Sequence, residues 1–475
     1  MTWPKSRAVA PSSFIRKLPS EANRNMPKIP LSVIVLAAGK GTRMNSAVPK
    51  VLHQIACRAM VDHVIATAES LEPRSLVVVV GPDMELVAET VAPYPTVVQE
   101  NQSGTADAVK VAIPALGDTE DETVLVLFGA DPMIRSEALA DMVKACDGGA
   151  AVVVLGFRAA NPSGYGRLIV NEAGSLQAIV EDRDATEKQR AINLCNAGAM
   201  AIKAKFLGGW LARIGNKNAK NEYYLTDIVD LARQDGCVCN IVETDEADAL
   251  GVDSRAQLAR AEAHWQARRR LEVMDEGVTL LDPKSVYFAY DTAFGRDVVV
   301  EPNVVFGPGV EVASGVKIKA FSHIEGARIG AGAIIGPFAR LRPNTELGED
   351  VHIGNFVELK NTTMSPGSKA NHLAYVGDSN VGKKANIGAG TITCNYDGFE
   401  KHRTVVGDEA FIGSNSALVA PVSIGAGAIV GAGSTVARDV PNDALSIERS
   451  KQINLAGRAK EFREERASAK ARKRE

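Results

Sequence analysis

The chain has 475 residues, 45% of them hydrophobic and 23% charged, with a formal net charge of −3. That leaves room for two or more domains and matches the composition of a soluble globular protein. No basic excess points to a nucleic acid partner, and the longest apolar runs, LVVVV at 76–80 and GAAVVVLGF at 149–157, are far short of a membrane span.

Residues 1–30 carry six Lys/Arg against one Glu and lack the apolar core of a secretory signal. Met26 opens MPKIPLSVIVLAAG, which reads as a protein start, so this stretch is expected to be a disordered or mis-assigned extension. From 31 to 253, short β-branched runs (SVIVLAA, SLVVVVG, VLVLF, AAVVVLGF) alternate with helical patterns. That alternation predicts an α/β domain with a mostly parallel, Rossmann-like sheet. The first strand runs into LAAGKGTRM (36–44), where Gly39 and Gly41 let the backbone approach a ligand and the following N–H groups can face phosphate. The loop lacks the third glycine of a dinucleotide fold and the Gly-Lys-Ser/Thr of a P-loop. Arg43 and Lys50 add two cations, although loop lysines are more often simply solvated.

Residues 254–275 read as a charged linker helix without Gly or Pro. From 276 to 450 the pattern changes to a six-residue repeat. Apolar residues fall at Val300, Phe306, Val312, Ile318 and Ile324, resume after a one-residue slip at Ile329, Ile335, Leu341, Leu347, Ile353 and Leu359, and return from Val406 to Val436. Neither helix nor ordinary strand gives this period; stacked hexapeptide coils of a β-helix do. Arg342 and Lys360 occupy positions where the repeat prefers Gly and lie three hexads apart, so they should stack on adjacent coils as a phosphate site or as two surface cations. SKANHLAYVGD (368–378) breaks the phase and brings His372 and Tyr375. CNYDGFEKHRT (394–404) interrupts the hexads and should be a loop pushed out of the coil stack. The tail, 451–475, is polar and basic and expected to be solvated. The six cysteines lack paired spacing for zinc, so they read as reduced thiols in a cytoplasmic protein.

The motif L-x-A-G-x-G-T-R-M followed by P-K resembles the signature of sugar-nucleotide pyrophosphorylases. Gln99 with Gly104-Thr105, GYGRL (164–168), Glu181, Asn196 and EYYLTDI (222–228) follow in the same order. Joined to a hexapeptide domain, the chain from about 31 to 450 resembles the bifunctional N-acetylglucosamine-1-phosphate uridyltransferase/glucosamine-1-phosphate acetyltransferase family. The resemblance implies a nucleotidyltransferase domain followed by a left-handed parallel β-helix. It implies acetyl transfer from acetyl-CoA to glucosamine 1-phosphate, then uridylyl transfer from UTP to N-acetylglucosamine 1-phosphate with Mg²⁺, in a cytoplasmic homotrimer whose loops reach neighbouring copies.

Residue by residue, it implies that Leu36, Ala37, Ala38, Gly39, Gln99, Gly104 and Thr105 hold uridine, while Arg43 and Lys50 face phosphate. Gly166, Glu181 and Asn196 hold the sugar. In the second half His372 is the base; Arg342, Lys360, Tyr375 and Asn386 contact the sugar phosphate; Ala389, Asn395, Tyr396, Ser414, Ala432 and Arg449 contact coenzyme A. Three positions depart from the pattern. Ala130 stands at the metal-binding Asp in FGADPMI, Asp253 stands where Asn is usual, and Asp107 where His is expected. Asp131 and Asp253 are the remaining candidates for Mg²⁺; because side chains alternate along a strand, Asp131 can replace its neighbour only where the turn is remodelled. Two rivals stay open: an acetyltransferase with a silent nucleotide-binding domain, and a non-catalytic scaffold.

Overall fold

The computed structural model describes residues 30–472, so the expectations for the preceding extension and for the last three residues lie outside it. The described chain divides into two compact units, residues 30–53 with 59–258 and residues 54–58 with 259–472. None of the described helices is long and apolar enough to cross a membrane.

The first unit is built on one sheet. Its strands are β1 (Leu31–Leu36), β2 (Ser75–Val80), β3 (Thr96–Val98), β4 (Thr123–Phe128), β5 (Val152–Arg158), β6 (Arg167–Val170), β7 (Leu176–Val180), β8 (Leu194–Lys203) and β9 (Cys239–Thr244). The order is β9-β5-β8-β4-β1-β2-β3, with β6 and β7 paired beside β8. All six residues of LSVIVL in β1 are buried. Both faces of the strand are covered, which is why it reads as a continuous apolar run. Val33, Val35, Leu125 and Leu127 point into one core, and Ile34, Leu36, Val124 and Val126 into the other.

Along the seven-strand path four of the six neighbouring pairs are parallel, while β8 runs antiparallel to both β4 and β5, and β6 pairs antiparallel with β7 and β8. The register of β8 with β5 shifts between Asn196 and Met200. Such an irregularity re-aims side chains, and here it lies at a predicted sugar contact.

The helix Arg255–Asp275 leads into the second unit. Its buried Gln266 donates from Nε2 to Phe288 O at 2.7 Å and accepts from Phe288 N at 2.9 Å, fixing the middle of the helix against the start of the coils. Three parallel sheets of ten, eight and eight strands follow. Successive hexads contribute Val300, Phe306 and Val312 to three different sheets, so three hexads close one coil. Val300 then pairs with Ile318, Ile318 with Ile335, and Ile335 with Ile353. The slip in the sequence is a coil one residue short, and the interruption at 394–404 lies between the paired residues Ile387 and Ile412.

At one corner Phe321, Phe338 and Phe356 take left-handed conformations, with φ of 60°, 55° and 56°. Side chains adopt that region at a cost. Here their rings stack from coil to coil at 4.9 and 5.1 Å. The polar tail forms an exposed helix, Arg458–Arg472, that the sequence reading left without structure. Its Ala, Glu, Lys and Arg content favours helix without a packed face.

Candidate functional sites

In the first unit the glycine-rich loop is pinned at several points. Ala37 N donates to Val79 O at 2.7 Å, and Gln102 Nε2 donates to Ala38 O at 2.6 Å. Leu36 O accepts from Gly129 N at 2.9 Å. Gly41 is left-handed, at φ 60°, and a Cβ there would stand 2.5 Å from Lys50 Cβ, so glycine is what lets Lys50 pack against the loop. A Cβ on Gly39 would meet nothing within 4 Å, leaving that backbone open to a ligand.

Lys50 and Arg43 converge on one carboxylate. Lys50 Nζ lies 2.7 Å from Asp253 Oδ1, and Arg43 Nη2 lies 2.9 Å from Asp253 Oδ2. Burial works to raise the Asp253 pKa, but the two cations hold it below the ordinary carboxylate value.

Gln99 is 4% exposed and sits beside the start of the helix Thr105–Leu116. Its Nε2 donates to Gly104 O at 2.9 Å and to Asp107 Oδ2 at 2.8 Å. Gly104 has φ 127°, and a Cβ would stand 2.5 Å from Tyr223 O. Thr105 Oγ1 accepts from Leu225 N at 2.9 Å, tying this corner to the EYYLTDI segment. Gln102 and Asp107 were not among the predicted contacts. A glutamine three residues after Gln99 was the available signal for the first, and the departure from His the signal for the second.

The predicted sugar residues meet. A Cβ on Gly166 would lie 3.6 Å from both Glu181 Oε1 and Asn196 Cβ, and Asn196 N donates to Gly166 O at 2.8 Å. Burial, with Asp184 and Asp227 nearby, raises the Glu181 pKa against the opposing pull of Lys220. Arg167, within GYGRL but not singled out from the sequence, is buried and donates to Asp182 Oδ1 at 3.0 Å.

Asp131 could stand in for its neighbour only if the strand gave way to a turn there, and it does. Strand β4 ends at Phe128, and Asp131 N donates back to Phe128 O at 3.0 Å, so residues 128–131 form a turn to which strand alternation does not apply. Ala130 is buried, and its carbonyl accepts from Val252 N at 2.9 Å. The Asp131 carboxylate instead fills space left by two glycines. A Cβ on Gly251 would stand 3.0 Å from Oδ1, and one on Gly198 would stand 3.2 Å from Oδ2. Its pKa is pushed up to about 7 by burial, offset by Lys50 and raised further by Asp253.

No group of three or more His, Cys, Asp or Glu among the described residues is arranged to hold a metal. Two carboxylates, one desolvated and raised further in pKa by the other's charge, nevertheless suit Mg²⁺, which completes its shell with water and phosphate oxygens.

In the second unit Leu341 pairs with Leu359, and Arg342 N donates to Leu359 O at 2.9 Å, so Arg342 and Lys360 occupy the same edge of adjacent coils. Arg342 Nη1 also donates to Glu358 Oε1 at 2.9 Å. A third cation joins them. Lys401, from the loop at 394–404, lies against Lys360 and is the main cause of its lowered pKa, followed by burial. Sequence spacing could not find Lys401, because the loop carries no repeat phase. Asp378 balances the cluster: although burial opposes it, hydrogen bonds from Asn361 and Asn395 and the nearby lysines hold its pKa down.

His372 Nδ1 lies 2.8 Å from Asn355 Oδ1 on the preceding coil, with which it is in register. The amide oxygen accepts, so Nδ1 is the donor, and in the neutral ring the lone pair then lies on Nε2. His372 is exposed. Tyr375 pairs with Glu358, and Asn386 with Lys369 and Phe411.

Of the predicted coenzyme A residues, four form a column. Ala389 O accepts from Asn415 N at 2.7 Å, Ser414 O from Gly433 N at 2.8 Å, and Ala432 O from Arg449 Nη1 at 2.6 Å. Asn395 instead turns inward, its Nδ2 facing Asp378 Oδ2 and lying 3.4 Å from the Tyr375 hydroxyl. Tyr396 stays exposed at the base of the loop, bridging to Lys401.

The MobA-like NTP transferase domain model matches residues 33–192, and the bacterial transferase hexapeptide (six repeats) model matches residues 326–361 and 403–438. The chain is 55% identical over 445 residues to a protein of Paramagnetospirillum magneticum named bifunctional protein GlmU, covering 93% of this chain and 99% of that one. Proteins of the same name from Rhodospirillum rubrum and a Bradyrhizobium species are 56% and 50% identical over 434 residues each. Those matches cover 91% and 90% of this chain, and 97% and 96% of the relatives.

Proposed function

The chain belongs to the bifunctional GlmU family, and from that premise we propose how its residues divide two reactions between the two units. It is a bifunctional transferase: a nucleotidyltransferase domain and a left-handed β-helix acyltransferase domain that together make UDP-N-acetylglucosamine. Supporting this reading most directly, the match to the relatives spans nearly the whole chain and so runs through both sites.

In the acetyl transfer, Arg342, Lys360 and Lys401 take the phosphate of glucosamine 1-phosphate. Tyr375 and Asn386 orient its sugar. The amine must lose a proton to complete an amide bond, and His372 Nε2 accepts it. Nitrogen attacks the thioester carbonyl, the C–S bond breaks, and coenzyme A leaves as the thiol once protonated. Ala389, Ser414, Ala432 and Arg449 hold coenzyme A along the coil edge, while Asn395 and Tyr396 anchor the base of the loop.

In the uridylyl transfer, the phosphate oxygen of N-acetylglucosamine 1-phosphate attacks the α-phosphorus of UTP and pyrophosphate departs. The nucleophile is already an anion, so the site's work is alignment and charge neutralisation. Leu36, Ala37, Ala38 and Gly39 offer backbone to the nucleotide, Gln99, Gly104 and Thr105 hold the base end, and Arg43 and Lys50 face the phosphates. Gly166, Glu181 and Asn196 hold the sugar. Asp131 and Asp253 would hold Mg²⁺, which supplies further neutralisation of the phosphate oxygens.

We place the reactions in the cytoplasm, where both co-substrates are available, in a homotrimer. Supporting an assembly, Phe399 on the loop is 94% exposed, and the column of Phe321, Phe338 and Phe356 is uncovered in the single chain. Two assays on one sample test the reading: thiol release from acetyl-CoA with glucosamine 1-phosphate, and pyrophosphate release from UTP with N-acetylglucosamine 1-phosphate. Both are expected, and Ala130→Asp should change the second little. Thiol release alone, with pyrophosphate release gained in Ala130→Asp, would leave the first unit silent as it stands.

A further inference from the structure

Gln99 is held by two groups that can only accept. Its Nε2 donates to the backbone oxygen of Gly104 at 2.9 Å and to Asp107 Oδ2 at 2.8 Å. A glutamine amide is nearly symmetric in shape, so its orientation is set by its partners. Rotating this one by half a turn would place Oε1 against a carbonyl and a carboxylate, two repulsive contacts in a largely buried setting. Both N–H donors are therefore spent on the protein. Oε1 is left on the other side, with no hydrogen-bond partner among the described residues.

Asp107 is the part of this lock that the side-chain sequence can change. It lies in the first turn of the helix Thr105–Leu116, and its Oδ2 also faces Ser103 N at 3.4 Å. We infer that Asp107 is a positioning residue that fixes the Gln99 amide with its carbonyl Oε1 toward the nucleobase, making the site selective for a pyrimidine whose ring nitrogen carries a proton. This rests on the reading of the first unit as the uridylyl-transfer site.

Uracil has an N3–H that can donate to Oε1. Cytosine presents an N3 lone pair at the same place, which faces the fixed oxygen without a proton between them. A site whose polar group is left unpaired by the wrong ligand discriminates far more strongly than one that merely loses a methyl contact. With Asp107 replaced by a residue that can also donate, the Gln99 amide is free to turn and present Nε2, which suits cytosine N3.

The test compares UTP and CTP on the full-length protein, by kcat/KM for pyrophosphate release and by calorimetric binding, in wild type, Asp107→Asn and Asp107→Glu. Wild type is expected to favour UTP by more than about 100-fold. Asp107→Asn should lower that ratio by about tenfold or more, chiefly through the KM for UTP, with a gain in CTP binding. Asp107→Glu keeps an acceptor-only group and should retain most of the preference. An unchanged UTP/CTP ratio in Asp107→Asn, or equal losses in the Asn and Glu variants, overturns the inference while leaving the uridylyl-transfer reading intact. A wild-type chain that neither binds nor turns over UTP removes that reading, and this inference with it. A purely structural Asp107 would lower thermal stability or kcat for both nucleotides alike, leaving the ratio where it was.

Discussion

His372 Nδ1 lies 2.8 Å from Asn355 Oδ1, and the two residues are paired in register on adjacent coils. The contact orients the imidazole and leaves Nε2 for the proton transfer we propose. Asn355→Ala leaves the ring without that guide, and kcat for acetyl transfer should fall about 10- to 100-fold with KM values moving little. His372→Ala should cost roughly 10²- to 10⁴-fold, the range for loss of a positioned base. Thiol release under saturating substrates measures both. Full kcat in Asn355→Ala would mean that the coil backbone alone orients the ring.

The three cations at the proposed sugar-phosphate edge predict a selective loss. Lys360 has a lowered pKa because Lys401 lies against it. A bound dianion would relieve that repulsion. Lys401→Ala should raise the KM for glucosamine 1-phosphate about tenfold, while the KM for acetyl-CoA stays within about twofold. Equal increases in both KM values would point to a loop that has collapsed rather than a lost phosphate contact.

Much of this arrangement was legible in the sequence because repeat phase is a geometric quantity. Arg342 and Lys360 could be stacked from their spacing, since three hexads close one coil and the pairing of Leu341 with Leu359 follows. Asn355 lies one coil before His372, but a coil one residue short hides that match from a strict count of hexads. Lys401 stands in an insertion, where no period applies. In the first unit, strand cores were readable from their apolar runs, whereas the Asp131 turn depended on the space beside Gly198 and Gly251, residues distant in sequence. Alternation along a strand says nothing once the strand has ended.

Asp253 holds Lys50 at 2.7 Å and Arg43 at 2.9 Å, so a carboxylate occupies the two cations that we propose face nucleotide phosphate. Asp253→Asn removes the negative charge and keeps the shape. Without divalent metal, the variant should bind UTP about tenfold more tightly than wild type, because both cations become available to the triphosphate. Arg43 is 71% exposed, so most of the gain should come through Lys50. Calorimetry in EDTA reads this directly. Weaker binding in the variant would show that Asp253 organises the cations more than it competes for them.

Asp131 makes the first unit's stability depend on pH. Its pKa in the folded protein is pushed up to about 7, from an ordinary value of 3.8, by burial and by Asp253, against the pull of Lys50. A carboxyl raised in this way favours the protonated form when folded. Below about pH 4 both folded and unfolded chains hold the proton, and the group has no effect. Between about pH 4 and 7 the unfolded chain ionises first, so stability falls as pH rises, by about 1.4 kcal/mol for each unit of difference. The cost reaches a few kcal/mol by pH 8. Asp131→Asn removes it, and in EDTA at pH 8 the variant's first unfolding transition should lie several degrees above wild type, with the gap closing toward pH 5. Adding Mg²⁺ at pH 8 should raise wild type more than the variant, since a cation offsets the charge that burial penalises. Identical transitions at pH 8 and pH 5 would mean that the Asp131 carboxylate is solvated in the working protein, and that Gly198 and Gly251 leave room for water beside it.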